Sequence, residues 1–336
     1  MTAPASAQTI PSVADVNRNT ARATLYLLLP VVIVAILPLL PFVNNYIIAA
    51  VIRALIFISL GQAWNVVAGI GGQLSLGHGV FLGIGCYTTG ILFNRYGISP
   101  WIGMWGGVLI SFVVALAMGA MTLRMRGVFF ALATVAVSLA MVQISRHFVD
   151  LTGGADGLAL KFIGNSLWAM QSRTPAPFLY AGLVLVIIYY LITRWILGSK
   201  FGLEMQAVRD DETAAAAAGV AVFRTKIVGF VVSAMMTAIA GTLYMQFYMA
   251  IDPEAAFGLG QAIQLQLPSL LGGIGTALGP IIGGAIMIFL SEVTNFAATK
   301  IGVEGLDILV YGMMLLVVVL WAPKGVVGLF TQRKRQ

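Results

Sequence analysis

Charge is scarce in this sequence. Asp, Glu, Lys and Arg together make up 9% of its 336 residues, whereas 60% are hydrophobic. A soluble domain of that size needs far more polar surface, so composition alone points to an all-α, polytopic transmembrane chain. Cysteine is nearly missing: Cys86 stands alone, which excludes an intramolecular disulfide, and its small-residue surroundings make it a packing group. Histidine is nearly missing too. His78 and His147 lie far apart without carboxylate neighbours, which leaves a hydrolytic triad unsupported, and no Cys/His cluster has metal-ligand spacing. No G-x-x-x-x-G-K-[ST] phosphate loop occurs, which removes that route to ATP hydrolysis. The chain therefore reads as a non-enzyme with no cofactor of its own. Its net charge of +7 does not imply nucleic acid, because the basic residues gather at the ends of apolar runs rather than among aromatics.

A membrane span needs roughly 20 apolar residues. Such runs fall at about 25–43, 46–68, 79–94, 101–123, 128–148, 178–197, 226–250, 261–275, 279–298 and 306–322. Ten spans is the upper reading and eight the alternative, because the glycine-rich stretch 69–79 and the short run 261–275 either cross or re-enter. The polar residues 1–24 are too long for the leading part of a signal peptide and no small-residue cleavage pattern follows, so they read as a flexible tail. The transmembrane domain then covers 25–330 and a basic tail 331–336. With both tails on one side, Arg124, Arg126, Arg194, Lys200, Arg209, Arg224, Lys226 and Lys324 join them there. Only Arg95, Arg146, Lys161, Arg173 and Lys300 fall on the other. The positive-inside bias makes the larger group cytoplasmic, in a bacterial-type inner membrane, and puts the long loop 149–177 outside. Arg53 and Glu292 are the charges left within spans. Glu292 is either a partner-bonded side chain reaching the outer interface or a residue of a pathway or proton relay.

Glycine and proline are plentiful at membrane depth. Asn65–Tyr87 carries Gly69, Gly71, Gly72, Gly77, Gly79, Gly83 and Gly85, and Leu270–Ala285 carries Gly272, Gly273, Gly275, Gly279, Pro280, Gly283 and Gly284. Small residues let helices pack closely. Broken backbone, however, is tolerated in a bilayer only where protein buries it or a cavity hydrates it. Two interrupted segments, one in each half, point to a translocation path. Its candidate residues are Asn65, Gln73, Ser75 and His78 in the first segment and Gly272, Gly273 and Gly275 in the second.

One block breaks the apolar pattern. Of 12 acidic residues, Glu204, Asp210, Asp211 and Glu212 fall close together, with Arg209, Arg224 and Lys226 beside them. Mixed charge is expensive in hydrocarbon, so this block lies in water between two spans. Acids followed by the alanines 214–218 and then Gly219 read as an exposed helix with an Asp cap and a glycine stop. If that helix is continuous, Arg209 and Glu212, three residues apart, share a side. An exposed helix between spans is what a membrane protein presents to a soluble partner.

These pieces together resemble the branched-chain amino acid ABC transporter permeases, M-type subunit. The blocks carrying the resemblance are N-x-x-x-G-x-x-G-Q-L-S-L-G-H from Asn65 to His78, L-T-G-G-x-x-G-L from Leu151, A-x-R-D-D-E-x-A-A-x-x-x-G from Ala207 to Gly219, and G-G-x-G-T-x-x-G-P from Gly272 to Pro280. The resemblance implies that 202–220 is a cytoplasmic coupling helix in which Gly202, Ala207, Arg209, Asp211, Glu212, Ala215 and Gly219 contact an ATP-binding subunit. It also implies a second homologous permease, two ATP-binding subunits that hold the ATP and Mg, an external solute-binding protein, and surrounding lipid. Related permeases carry branched-chain amino acids, urea, short amides or aromatic acids. An ion-coupled secondary transporter and a passive channel are the rivals from other classes.

Overall fold

The computed structural model describes residues 30–40, 43–301 and 313. The readings made for 1–24, 306–322 and 331–336 lie outside the described residues, apart from Met313. The chain divides into two compact units, Met1–Asn44 and Asn45–Gln336. In the first, the described residues include a short apolar helix, α1 (Pro30–Leu39).

Among the described residues the second unit is built of helices and one two-stranded ribbon. Its elements are α2 (Asn45–Ile70, ending in a π turn over Val66–Ile70), α3 (Gly79–Tyr96), α4 (Pro100–Thr122), α5 (Val128–His147) and α6 (Val149–Thr152). Strand β1 (Leu158–Ala159) follows, then α7 (Ala176–Gly198), α8 (Lys200–Asp210), α9 (Glu212–Ala217) and α10 (Val222–Tyr248). Strand β2 (Ala250–Ile251), α11 (Pro253–Phe257), α12 (Leu259–Gly272) and α13 (Gly279–Ile301) are the last of its described elements. Among the described residues α2, α4, α5, α7 and α10 are long and apolar enough to cross a membrane.

The helix ends alternate between two faces of the bundle. At one face the loop before α7 pairs β1 antiparallel with β2, and Ser99 Oγ, just before α4, donates to Trp168 O. At the other face lies the charged block. The loop 149–177 and the block are therefore at opposite ends, as the distribution of basic residues requires. The α2 and α10 spans are 72% buried and form the centre, whereas α5, at 28%, turns most of its apolar surface outward. Small residues let the central helices meet closely: a Cβ on Gly85 would stand 2.1 Å from Ala238 O, and one on Gly241 2.5 Å from Leu82 O. Cys86 is buried in that seam, its thiol 3.1 Å from Gly241 O, as its reading as a packing group requires.

The run expected at 261–275 resolves into a discontinuous crossing. From β2 at the loop face, α11 leads inward, Gly258 breaks the helix with an extended backbone, and α12 continues to Gly272 at the block face. At 14 residues α12 is about 21 Å long, too short to cross alone.

Candidate functional site

Both sequence breaks lie at the block face, and one helix end joins them. After Ile70 the chain leaves α2 as a buried loop that folds back beside it. Trp64 Nε1 donates to Ser75 O at 2.8 Å, and Leu76 N donates to Thr134 Oγ1 at 3.1 Å. Such partners are what irregular backbone needs inside a bundle. His78 closes the loop. Its Nε2 is 2.8 Å from Ser233 Oγ, whose own proton goes to Ala63 O at 2.6 Å, and its ring meets Phe81 and Phe230 edge-on. Gln73, Ser75 and His78 are thus brought together but buried. Gln73 faces Met205, Val208 and Lys226 beneath the charged block. In this conformation none of the three lines an open path.

The second break, between α12 and α13, hangs largely on one side chain. Asn65 is fully buried; its Nδ2 donates to Thr276 O at 2.9 Å and its Oδ1 accepts from Gly275 N at 2.8 Å. Thr276 adds a local brace, its hydroxyl donating to Gly273 O and accepting from Gly279 N. Gly275 sits at φ +78°, a left-handed conformation that favours glycine. Close approach explains Gly69 and Gly272 as well: a Cβ on Gly69 would stand 2.5 Å from Gly275 N, and one on Gly272 1.7 Å from Gly279 O.

The charged block is not one helix. Asp211 is extended (φ −158°, ψ 111°) and separates α8 from α9. Its carboxylate accepts from Thr213 N at 2.7 Å and Ala214 N at 3.0 Å, capping the alanine helix, and these bonds hold its pKa below the usual aspartate value. Helix α9 ends at Ala217, and Gly219 at φ +86° turns the chain. A continuous helix with Arg209 and Glu212 on one side is therefore wrong: an acid that caps one helix ends the other.

The break sends these two charges to different places. Arg209 Nη1 donates to Gly69 O at 3.1 Å, and its stem packs so closely on Gly72 (φ +70°) that a Cβ there would lie 2.4 Å from Arg209 Cγ. The guanidinium stands at the crossing of the two breaks. Glu212 instead pairs with the buried Lys226 of α10 and with Arg126, 3.2 Å away, in the α4–α5 turn. Of the predicted contact residues, Ala207, Arg209, Asp211 and Gly219 are exposed and Glu212 is half-buried, but Gly202 and Ala215 face the bundle. A Cβ on Gly202 would stand 1.9 Å from Ile196 O, so its glycine serves packing against the end of α7.

Sequence reasoning missed two central amides. Gln62 of α2 and Gln246 of α10 are completely buried, and their amides have no partner among the described residues. The available signal was a glutamine inside an otherwise apolar run. A cavity of about 600 Å³ lies elsewhere, between α4 and α7, lined by Trp105, Tyr180, Leu185 and other apolar groups.

Alternating apolar helices, two interrupted crossings and a charged segment tied to them define a multi-pass membrane permease. The chain belongs to the family described as the permease component of the branched-chain amino acid transport system, whose model matches residues 46–319. It is 26% identical to the high-affinity branched-chain amino acid transport system permease protein LivM of Salmonella typhimurium, over 92% of this chain and 76% of that protein. It is 27% identical to the permease protein LivH of the same system in Escherichia coli, over 79% of this chain and 89% of that protein. No solved structure matches it.

Proposed function

We propose that this chain is one of two membrane permeases of an ATP-driven importer that takes up branched-chain amino acids. A LivH-like chain is its partner permease. Two ATP-binding subunits dock beneath the charged block and hold the ATP and Mg, and a solute-binding protein delivers cargo to the opposite face. In this reading both termini and the block are cytoplasmic, in the inner membrane, and the chain performs no chemistry itself.

The observation that carries the reading is Arg209. A segment exposed enough to meet a soluble motor reaches, through one guanidinium, the carbonyl of Gly69 where both broken segments meet. Closure of the ATP-binding pair pushes on the block, which gives way on its α8 side because Glu212 ties the start of α9 to Lys226. Arg209 passes that displacement to Gly69, and Asn65 passes it to the loop at Gly275. Backbone with few intrahelical bonds bends there at lower cost than an intact helix.

Proteoliposomes holding the full complex should accumulate labelled leucine only with ATP and the loaded binding protein. Leucine movement by this chain alone, or uptake driven by an ion gradient without ATP, would overturn the proposal.

A further inference from the structure

Arg53 of α2 and Glu292 of α13 form an ion pair that the Arg209 crossing does not use. Arg53 lies eight residues after Asn45, about 12 Å along a helix long and apolar enough to cross a membrane. Its Nη2 donates to Glu292 Oε1 at 2.5 Å, while the Tyr46 hydroxyl donates to the other carboxylate oxygen. The guanidinium also stands 5.9 Å from the Tyr46 ring centre. The two charged side chains remain 28% and 23% exposed. A partly open ion pair between α2, which is long enough to cross a membrane, and the apolar helix α13 cannot face hydrocarbon at acceptable cost. This face is turned to water or to protein, where a two-permease importer has its passage or its seam.

Resting on the importer reading, we infer that Arg53, Glu292 and Tyr46 form a seat for the zwitterionic head of an amino acid in transit. The head carries one carboxylate and one ammonium on a single carbon, and it inserts into the pair without leaving a charge unmatched. Arg53, with five N–H donors in a planar fork, takes the carboxylate in bidentate fashion. Glu292, held by Tyr46, takes the ammonium. One ion pair becomes two, and net charge stays zero before and after. Phe289, one turn before Glu292 on the same helix face and 70% exposed, gives an apolar surface for a branched side chain. Lys in place of Arg53 would keep the charge but lose the fork. Urea or a simple amide has no use for either charge.

The experiment has two arms. In proteoliposomes of the full complex, R53Q and E292Q should keep ATP hydrolysis stimulated by the loaded binding protein. Leucine moved per ATP should fall at least tenfold. The charge swap R53E/E292R restores an ion pair but reverses its polarity, so it should keep complex yield and not restore uptake. Wild-type uptake in the swap, or in either single variant, would make the pair a structural tie and overturn the seat. The second arm does not depend on those variants assembling. In a C86A background, F289C is treated with a thiol reagent and the modified peptide is quantified. Millimolar leucine should slow labelling at least threefold, and 4-methylpentanamide, which has neither charge, should not. Equal protection by both, or none by leucine, would overturn the seat. Failure of wild-type uptake would refute the importer reading alone, because the labelling arm reads the seat directly.

Discussion

Arg209 stands in the last turn of α8 and Glu212 opens α9, with only two residues between them. Arg209 reaches into the crossing of the broken segments and remains 37% exposed. Glu212 is 21% exposed and holds the ammonium of Lys226, which is 3% exposed. The first contact is to a carbonyl on backbone that is already irregular. The second is an ion pair anchored in the central helix α10. The block is thus pinned on its Glu212 side and adjustable on its Arg209 side. A soluble partner meets exposed charge at Lys200, Asp210 and Asp211, and beside it an uncharged patch of Leu203 with Ala214 and Ala217 on α9 and Ala218 just after it, the alanines three and four residues apart.

The contrast is tested most severely at the pinned side. E212K leaves Lys226 unpaired and sets a third cation beside it and Arg126. Removing one partner from a buried ion pair costs roughly 3–5 kcal/mol, and the partial exposure of Glu212 puts this variant near about 3 kcal/mol. Thermal unfolding of the purified chain should show that loss, with a lower yield in membranes. E212K/K226E should recover part of it. Normal stability in E212K would mean that this side is not pinned.

A smaller effect is expected at the adjustable side. R209Q gives up a charge-assisted bond to Gly69 O, nominally about 1.5–3 kcal/mol, which solvent reduces to about 1 kcal/mol at this exposure. Yield and binding of the ATP-binding subunits should hold, while leucine moved per ATP falls severalfold. If R209Q and E212K behaved alike, both charges would be structural ties and the transmission route would lie elsewhere.

The free face should barely register in stability. A217W adds bulk to exposed helix, where substitutions usually stay within about ±0.5 kcal/mol. Co-purification of the ATP-binding subunits should drop at least tenfold with the chain's own yield intact. Undisturbed docking in A217W would move the contact to α8, around Leu203.

The limits of the sequence follow the same division. Spans, caps and stops are local, so the alternation of apolar runs, the Asp cap of the alanine helix and the turn at Gly219 were legible from spacing. The two broken segments were also legible, because glycine and proline at membrane depth have few other uses. Their meeting was not: Asn65 and Gly275 are 210 residues apart, and nothing in either neighbourhood names the other. Lys226 is 14 residues from Glu212, a spacing that a single helix would stretch to about 21 Å. The seven proposed contact residues were chosen by motif, and motif does not separate Gly202 and Ala215, which face inward, from Ala207, which faces out. The doubled acid at 210–211 held the missing clue, since an aspartate that caps a following helix takes an extended backbone and ends the preceding one.

That capping aspartate sets the smallest and most local effect. Two backbone amides, Ala214 N and then Thr213 N, hold the Asp211 carboxyl below its ordinary value of 3.8. A depressed carboxyl contributes stability that is fully present above the unfolded value and lost as pH falls through the folded one. The first turn of α9 should therefore stay closed at neutral pH and loosen only below about pH 4. Hydrogen-exchange protection of the Thr213 and Ala214 amides, corrected for intrinsic exchange at each pH, reads this directly. D211N keeps an acceptor oxygen but has no proton to take up, so its protection should be lower at neutral pH and flat on acidification. A pH-dependent loss persisting in D211N would assign the loosening to another acid, with Glu212 the first to examine. In that case the cap would no longer explain why the two charges part.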